Sequence, residues 1–328
     1  MFVILHWAKK TSLQDYFSGW LKKYSRTTLL DIRTSLTWLV HNIEAMPSIA
    51  DLKSRFRDKL FDQYPQREID QFFAMTANEL LGYSRAEIQI RLDEIVQDSK
   101  ASMLEAVIKG LQANEPIQYL LGHAEFYGLR LKVNPDVLIP RPETEELVRW
   151  ITDESGDSAQ SILDLGTGSG CIAISLKKFM PHAQVFGVDK SIEALNLAQQ
   201  NAKLNNTGIE FFAFDILKQE SFGFMKFDLM VSNPPYVTNE DKEKMERNVV
   251  DFEPHLALFV PEDDPLVFYR NIVDLAEGHL NKGGKIFFEI NESFAAEIRS
   301  LLMDRGFTSV EIRKDLNGRF RMAKGIKN

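Results

Sequence analysis

The stretch SILDLGTGSGC, residues 161–171, carries more information about the architecture of this 328-residue chain than any other segment. It opens with a short apolar run over 161–165 and continues with a glycine at every second position over 166–170. A helical pattern then begins near Cys171. A strand that passes into a helix through such a tight, glycine-rich turn is typical of α/β sheets.

Similar apolar runs recur along the chain and are separated by helical patterns. The runs cover 185–189, 227–232 and 285–290, and the helical patterns cover 171–180, 191–204 and 266–281. This alternation predicts a doubly wound α/β sheet. Ligands of such sheets bind outside the carboxyl ends of the strands, so the residues that follow each strand are the candidate site residues.

The glycine turn and the end of the next strand together suggest a nucleoside ligand. Glycines let a backbone approach a ligand closely, although a ligand-free tight connection could also explain the turn alone. The G-x-G-x-G spacing differs from the G-x-G-x-x-G spacing of dinucleotide sites. Asp189 ends the next strand, 189 − 166 = 23 residues after Gly166, where a carboxylate can accept from both ribose hydroxyls. S-adenosylmethionine fits this combination, because it has an adenosine ribose and no diphosphate.

Two residues near this turn each have two interpretations. Asp215 follows the third strand and could accept a hydrogen bond from an exocyclic amine, or could belong to a simple turn at the strand end. Cys171 begins the helix after the glycines, where its thiol pKa could be lowered or where it could serve as a small buried side chain.

The loop Ser232-Asn-Pro-Pro-Tyr236 follows the fourth strand. Its two prolines fix the backbone and donate no hydrogen bonds, so the loop presents carbonyl oxygens, and Asn233 adds a side-chain oxygen. Paired acceptors suit an NH2 group on a planar centre, and Tyr236 offers a ring against which that plane can stack. Methyl transfer to such a nitrogen needs orientation and stabilisation of developing positive charge more than a strong base.

The composition favours a globular protein that does not bind nucleic acid non-specifically, holds no structural zinc and has no membrane anchor. The net charge is −8 and hydrophobic residues make up 44% of the chain, which suits a large core and disfavours non-specific binding to polyanions. The single cysteine cannot form an internal disulfide, and no Cys/His cluster has zinc-site spacing. The longest apolar opening, 2–5, is too short for a membrane span or signal peptide, so we expect a cytoplasmic protein.

Residues 1–45 differ in composition from the rest. They hold six basic and three acidic side chains, a local net charge of 6 − 3 = +3, which leaves −8 − 3 = −11 for 46–328. Three of the four tryptophans also lie here. One hypothesis is a basic arm that docks an acidic partner. The alternatives are a surface-packed helical extension, or sequence upstream of a true start at Met46.

The remaining chain divides into three predicted regions. Residues 46–114 show helical apolar spacing, with Ser48 as the first N-cap, and predict a small helical bundle. Residues 115–142 are rich in turns around an alternating strand pattern over 126–133 and predict a hairpin linker. Residues 143–328 form the predicted α/β domain. The third of four apolar stripes in the helical region consists of Ile88, Leu92, Ile95 and Val96.

The motifs taken together resemble a known family. Beside the glycine turn and the Asn-Pro-Pro-Tyr loop, the chain contains Glu115-Pro-Ile-Gln-Tyr-Leu-Leu-Gly122, Phe126-Tyr-Gly128, Val137-Leu-Ile-Pro-Arg-Pro-Glu-Thr-Glu145, Glu253-Pro254 and Phe268-Tyr-Arg270. These stretches are similar to those of the release-factor glutamine N5-methyltransferases, the PrmC/HemK family, over roughly 48–328. The sequence differs from the family pattern at 260–265, where the family usually has a glycine-rich turn and this chain has Val-Pro-Glu-Asp-Asp-Pro.

The resemblance implies an activity and a fold. It implies a class I methyltransferase-like sheet that transfers a methyl group from S-adenosylmethionine to the glutamine amide in the Gly-Gly-Gln motif of peptide chain release factors. It also implies a role for several residues. The cofactor would be bordered by Gly166, Thr167, Gly168, Ser169, Gly170, Asp189, Asp215, Ile216 and Asn233, and the glutamine amide by Asn233, Pro234, Pro235 and Tyr236. Arg141 and Thr144 would lie near the cofactor, although Arg141 could equally be a structural ion-pair partner.

Three other functions fit parts of the same pattern. A ribosomal-protein glutamine methyltransferase would use the same Asn-Pro-Pro-Tyr loop. An adenine-N6 nucleic-acid methyltransferase would also recognise an NH2 on a planar ring, but the net charge of −11 over 46–328 disfavours direct nucleic-acid binding. A non-enzymatic cofactor-binding module should have lost the glycine turn or the Asn-Pro-Pro-Tyr loop, and both are intact.

Overall fold

The computed structural model describes residues 46–155, 159–218, 222–223 and 225–328. The chain divides into two compact units, Met1–Lys109 and Gly110–Asn328. The predictions for 1–45, including the basic arm and the start at Met46, lie outside the described residues, and the three predicted domain regions stay predictions. Within the described ranges, no helix has both the length and the apolar character needed to cross a membrane.

The first unit is built from helices. In chain order they are α1 (Ile49–Leu60), α2 (Gln66–Leu81), α3 (Arg85–Ile90) and α4 (Asp98–Gln112), the last of which continues past Lys109. The predicted cap of α1 is confirmed, because Ser48 Oγ accepts from the Asp51 backbone N–H at 3.2 Å while Asp51 accepts from the Ser48 N–H at 2.8 Å. Phe56 of α1 and Phe73 of α2 pack edge to face at a centroid distance of 5.3 Å.

The third apolar stripe of this unit is not a continuous helix, so that prediction was wrong. Helix α3 ends at Ile90, and the chain then turns. Ile95 forms an isolated antiparallel bridge with Ser48, and the Val96 N–H donates to the Pro47 carbonyl at 2.9 Å. Leu92 and Ile95 are half-buried in this turn and the segment after it. Residues more than forty positions earlier hold the backbone, since the Leu92 carbonyl accepts from the Ala50 N–H at 2.9 Å.

The second unit begins with a short helix and a hairpin. Helix α5 (Ile117–Leu121) precedes β1 (His123–Phe126), which pairs antiparallel with β2 (Leu129–Lys132). The strand pattern over 126–133 is therefore interrupted by a turn at Tyr127-Gly128, where φ is 50° and 74°, as in a two-residue hairpin connection. Asn201 anchors β2, since its Oδ1 accepts from the Lys132 N–H at 2.6 Å and its Nδ2 donates to the Lys132 carbonyl at 2.9 Å.

Seven strands of the described chain form one sheet. They are β3 (Ser161–Leu165), β4 (Gln184–Asp189), β5 (Glu210–Ala213), β6 (Phe227–Ser232), β7 (Leu280–Glu289), β8 (Phe307–Lys314) and β9 (Phe320–Lys327), in the spatial order β5-β4-β3-β6-β7-β9-β8. The five strands from β5 to β7 are parallel, whereas β9 and β8 are antiparallel to their neighbours. The predicted doubly wound α/β fold is confirmed, with a mixed edge. From β3 the chain adds β4 and β5 on one side of the sheet and then crosses over to add β6 on the other side of β3. This reversal of strand order creates a crevice at the carboxyl ends of β3 and β6.

Helices cover both faces of this sheet. They are α6 (Pro142–Ser155), α7 (Cys171–Phe179), α8 (Ile192–Leu204), α12 (Val267–His279) and α13 (Ala295–Asp304). The short helices α9 (Asn239–Lys242), α10 (Arg247–Phe252) and α11 (His255–Leu258) lie in the connection between β6 and α12. Ile162 packs in a core with residues of α6 and α7, while its neighbour Leu163 packs in a second core with α12 and α13. Adjacent strand residues point to opposite faces, so β3 is apolar on both sides.

The two outer strands of the sheet are short or irregular. Strand β5 has four residues, and β8 shows register shifts between Thr308 and Glu311 and between Arg313 and Lys314. The segment 314–321 contains the turn between β8 and β9. Asp315 organises this turn by accepting from the Arg319 N–H at 2.9 Å.

Candidate active site

A first cavity of about 320 Å³ lies beyond the carboxyl ends of β3, β4 and β6. Its walls bring together nearly all the residues that the sequence predicted for the cofactor. These are Gly166, Thr167, Gly168, Ser169, Asp189, Asp215, Ile216 and Asn233, joined by Arg141, Thr144, Cys171 and Pro235. These residues lie close together because the carboxyl ends of parallel strands meet at one edge of the sheet.

Gly170 differs from the other glycines of the turn, because it does not line this cavity. Its φ is 82°, and a Cβ at this position would lie 2.9 Å from Ile174 Cδ1 and 3.2 Å from Ala198 Cβ. Gly170 therefore permits α7 to pack closely against α8, while Gly166 and Gly168 border the cavity itself.

Asp189 ties the ends of β3 and β4 together. Its Oδ2 accepts from the Gly168 N–H at 2.9 Å, and its Oδ1 accepts from the Ser191 N–H at 3.0 Å. Burial raises the pKa of this carboxyl, although the backbone hydrogen bonds oppose the effect. A carboxylate oxygen has two lone pairs, so each oxygen keeps acceptor capacity for a ligand in the cavity.

Asp215 has cationic partners that the sequence did not reveal. Its carboxylate lies 3.1 Å from Lys190 Nζ and 3.9 Å from Lys218 Nζ, and its Oδ1 accepts from the Leu217 N–H at 3.1 Å. Burial opposes ionisation, but these hydrogen bonds and the two ammonium groups outweigh it and lower the pKa of Asp215. The residue is thus a charged acceptor at the cavity wall as well as part of a turn.

The ion-pair interpretation of Arg141 is supported by its contacts. Its guanidinium lies 2.6 Å from Glu253 Oε1, and Glu253 Oε2 accepts from the Ile139 N–H at 3.1 Å. The Glu253 side chain is 1% exposed. This pair joins the loop before α6 to the segment after α10. Farther along that segment, Arg270 of α12 forms an ion pair with Asp264 of the atypical 260–265 loop.

Cys171 borders the cavity as a neutral thiol. Burial raises its pKa to about 12, and the nearby Asp164 carboxyl acts in the same direction. The side chain thus matches the interpretation as a small packed residue, because a reactive cysteine requires a lowered pKa.

The Asn-Pro-Pro-Tyr loop is held by a network that converges on Glu289, the last residue of β7. Asn233 Nδ2 donates to Thr144 Oγ1 at 3.3 Å, and Thr144 Oγ1 donates to Glu289 Oε2 at 2.6 Å. Tyr236 donates its phenolic proton to Glu289 Oε1 at 3.0 Å. Burial, assisted by the Glu289 charge, raises the pKa of Tyr236, so the phenol stays protonated. The Tyr236 carbonyl accepts from Asn291 Nδ2 at 3.2 Å.

A second cavity of about 320 Å³ lies on the other side of this loop. Asn233, Pro234 and Tyr236 line it, together with Arg319 and Arg321 from the β8–β9 region. Asn233 and Arg141 border both cavities. A molecule in the first cavity and a side chain in the second would therefore meet at Asn233.

Two buried carboxyls of the site were given no role from the sequence. Asp164 and Glu289 are 0% and 1% exposed. Each is the acidic residue in an otherwise apolar strand run, Ser-Ile-Leu-Asp-Leu and Ile-Phe-Phe-Glu-Ile. A carboxyl group inside a strand that is buried on both faces needs specific partners, and this pattern is the signal that could have identified both.

Asp164 lies beneath the glycine turn. Its Oδ2 accepts from Thr167 Oγ1 at 2.7 Å and from the Ala173 N–H at 3.2 Å, whereas its Oδ1 has no hydrogen-bond partner among the described residues. Burial raises the pKa of this carboxyl from 3.8 to about 7. The native protein therefore binds the Asp164 proton more tightly than the unfolded chain does.

This raised pKa predicts a pH-dependent contribution to stability. The free energy of unfolding should fall as the pH rises from about 4 to about 7, by at most roughly 1.4 kcal/mol per pH unit. Asp164→Asn keeps an acceptor for Thr167 and does not titrate, so its stability relative to the wild type should increase over that window. Chemical denaturation at several pH values measures this difference, with the exposed Asp136→Asn as control. A difference that does not change with pH would contradict the assignment.

Comparison with known proteins places the chain in a family. Residues 143–252 match the methyltransferase small domain, and residues 62–122 match the PrmC N-terminal domain. The release factor glutamine methyltransferase of Flavobacterium psychrophilum is 42% identical over 280 residues, which cover 84% of this chain and 98% of that protein. This chain belongs to the release factor glutamine methyltransferase family. The relative from Bacteroides thetaiotaomicron is 43% identical over 81% of this chain and 95% of its own length, and the one from Streptococcus pneumoniae is 41% identical over 74% and 85%.

The segment of this release factor glutamine methyltransferase family member that matches the methyltransferase small domain contains residues that line both cavities. The 143–252 match contains the glycine turn, Asp189 and the Asn-Pro-Pro-Tyr loop. Glu289 lies outside it, on a later strand. The hydrogen-bond network therefore joins residues of the matched segment to a strand that the match does not include.

Proposed function

We propose that this enzyme transfers a methyl group from S-adenosylmethionine to the side-chain amide nitrogen of the glutamine in the Gly-Gly-Gln motif of peptide chain release factors. The observation that carries this proposal is the position of Asn233 on the wall shared by the two cavities. One cavity has the features of a nucleoside site, and the other is lined by the Asn-Pro-Pro-Tyr loop. The family of the chain supports the same substrate.

The first cavity fits S-adenosylmethionine in three respects. Gly166 and Gly168 have φ of 74° and 54°, and no atom of the described residues lies within 4 Å of where a Cβ would stand. This open space gives a ligand access to the backbone of the turn. Asp189 offers acceptors for ribose hydroxyls, and Asp215 adds a charged acceptor at the cavity wall.

The roles of the cavity residues follow from their chemistry. The Asp189 carboxylate would hold the ribose, and the glycine turn would hold the methionine part. Asp215 and Ile216 would border the adenine, with Asp215 accepting from the exocyclic amine by a lone pair not used for Lys190. S-adenosylmethionine, when bound, supplies a methyl group on a sulfonium that is already electrophilic.

The second cavity would orient the substrate glutamine. Asn233 Oδ1 and the Pro234 carbonyl would accept the two N–H bonds of the amide, and the Tyr236 ring would stack on its plane. These acceptors also stabilise the positive charge that develops on the nitrogen as its lone pair leaves conjugation. No strong base is required, because the nitrogen becomes acidic as it is alkylated and can release its proton to water.

The proposed partner is a protein and not a nucleic acid. The net charge of −11 over 46–328 repels polyanions at a distance. A release factor acts in translation, so the cytoplasm is the compartment that we propose for the reaction. The helical residues of the first unit are proposed to contribute to recognition of the factor.

A transfer assay with methyl-labelled S-adenosylmethionine tests this function. The purified protein is incubated separately with a release factor, a ribosomal protein and double-stranded DNA, and labelled residues are located by mass spectrometry. We expect label on the glutamine of the Gly-Gly-Gln motif. A release factor with this glutamine replaced by alanine is the matched control and should remain unlabelled. Label on the ribosomal protein or on DNA alone would overturn the proposal.

A further inference from the structure

We propose that Glu289 is a positioning residue that fixes the direction of the hydrogen bonds through Thr144, so that Asn233 presents its Oδ1 to the substrate amide. This inference rests on the proposed function and specifies how the acceptor of that function is oriented. Glu289 lies at the carboxyl end of β7 and is 1% exposed, so the substrate does not need to touch it.

Glu289 accepts hydrogen bonds from two hydroxyl groups. Its Oε2 lies 2.6 Å from Thr144 Oγ1, and its Oε1 lies 3.0 Å from the Tyr236 hydroxyl. An ionised carboxylate can only accept hydrogen bonds. Both hydroxyl groups donate to the Glu289 oxygens in this network.

Thr144 in turn fixes the orientation of the Asn233 side-chain amide. A threonine hydroxyl has one proton, and here that proton is committed to Glu289. The oxygen can then only accept from its other neighbour, Asn233 Nδ2, at 3.3 Å. Because the amide nitrogen of Asn233 is held by Thr144, the amide oxygen is the atom left for the substrate.

The wrong orientation would be costly for binding a glutamine amide. An Asn233 rotated by half a turn would point its NH2 group at the NH2 group of the substrate, and two donors cannot form a hydrogen bond. It would also leave the partial positive charge of the Asn233 nitrogen beside a nitrogen that becomes positive during transfer.

The surroundings of Glu289 act on its pKa in opposite directions. Burial raises its pKa, whereas the hydrogen bonds from Thr144 and Tyr236 and the charge of Arg321 oppose this rise. Arg321 is held in place by Asp315 at 3.5 Å and by the Ile290 carbonyl at 3.3 Å. The Glu289 backbone is fixed as well, because its carbonyl accepts from the Tyr269 hydroxyl at 3.1 Å.

The same carboxylate also fixes the other end of the loop. Because Tyr236 donates to Glu289, its phenolic proton is unavailable to the carbonyl oxygen of the substrate, and the ring is held in one plane. Glu289 thus connects the acceptor at Asn233 and the stacking surface at Tyr236 to a single buried carboxyl group.

A double-mutant cycle between Glu289→Gln and Thr144→Val tests the inference. Each change should lower kcat with the release factor by about 10- to 100-fold, because one group that orients a transition-state acceptor is lost. The double variant should be no slower than the slower single variant, because Glu289 acts through Thr144. Thr144→Ser keeps the hydroxyl and should restore most of the rate. The exposed Glu297→Gln is the control. The KM for S-adenosylmethionine should change little in Glu289→Gln, because Glu289 lines neither cavity.

A second measurement does not depend on activity. In nuclear magnetic resonance spectra of protein labelled with ¹⁵N, the side-chain amide protons of Asn233 should exchange slowly with solvent in the wild type and Thr144→Ser. They should exchange faster in Thr144→Val and Glu289→Gln. The Asn233 signals are assigned by their loss in Asn233→Ser. Comparison of Thr144→Val with Thr144→Ser still tests the inference if Glu289→Gln does not fold.

The outcomes separate this inference from the proposed function. A wild type that leaves release factors unmethylated but shows a protected Asn233 amide would refute the substrate and support the positioning role. Wild-type rates in Thr144→Val, or strictly additive losses in the double variant, would overturn the positioning role while the substrate assignment stands.

Discussion

Replacement of Asn233 by alanine should reduce kcat for release-factor methylation by about 10²- to 10³-fold, the loss found when one transition-state hydrogen-bonding group is removed. Asn233 borders both cavities, and its amide is held by Thr144 at 3.3 Å. The variant loses the oriented oxygen, whereas Asp189 and the glycine turn remain. Affinity for S-adenosylmethionine should therefore be nearly unchanged.

Single-turnover kinetics and isothermal titration calorimetry measure these two quantities separately. The control is Asn239→Ala, because Asn239 is an exposed residue six positions later that donates to Glu262 at 3.2 Å. It should behave as the wild type. If Asn233→Ala turned over at a near-normal rate, Asn233 could not be the acceptor that orients the substrate amide.

Replacement of Asp189 by alanine should have the opposite signature, with weakened cofactor binding as its primary effect. We expect Kd for S-adenosylmethionine to rise by roughly 10- to 100-fold, because hydrogen bonds to a charged group typically contribute about 1.5–3 kcal/mol each. The Gly168 N–H also loses its acceptor at 2.9 Å, so the turn itself becomes less well ordered. At saturating cofactor, kcat should recover a large part of its wild-type value.

Calorimetry with S-adenosylhomocysteine, the demethylated product, measures the binding loss without turnover. Asp189→Asn retains one oxygen acceptor and should give an intermediate Kd. The exposed Glu210→Ala, at the first residue of the neighbouring strand β5, serves as the control for a lost carboxylate away from the cavity. Unchanged affinity in Asp189→Ala would show that Asp189 organises the turn without holding the ribose.

The parallel core of the fold could be predicted because its signals are local. A strand buried on both faces is a short apolar run, and runs such as 161–165 and 227–232 coincide with β3 and β6. The glycine turn could be placed because positive φ at Gly166 and Gly168 is a local requirement that few other residues meet. The position of both motifs at one sheet edge then followed from parallel topology.

Features that depend on distant partners could not be predicted in the same way. The apolar stripe from Ile88 to Val96 has helical spacing, but its second half is held by Pro47 and Ser48. Lys190 beside Asp215 comes from the turn after β4, 215 − 190 = 25 positions earlier, so periodicity gives no indication of this contact. The antiparallel placement of β8 and β9 depends on sheet order, which apolar runs alone do not determine.

Glu289 shows the same limit within the site. Its partners, Thr144 and Tyr236, lie 145 and 53 positions away in the sequence. The Asn-Pro-Pro-Tyr motif could indicate the groups proposed to face the substrate, because these groups belong to adjacent residues of the sequence. The carboxylate that orients those groups enters from a different strand and could be assigned only from the folded structure.

The irregular outer strands have a consequence for how this protein behaves at high concentration. A long, regular edge strand presents unpaired N–H and C=O groups that invite another copy to extend the sheet, which is a common route to aggregation. Here one edge offers only the four residues of β5, and the other is broken by two register shifts, one of them between Arg313 and Lys314. Charged, interrupted edges of this kind keep an open sheet from propagating between molecules, so the protein can stay dispersed while its cavities remain accessible.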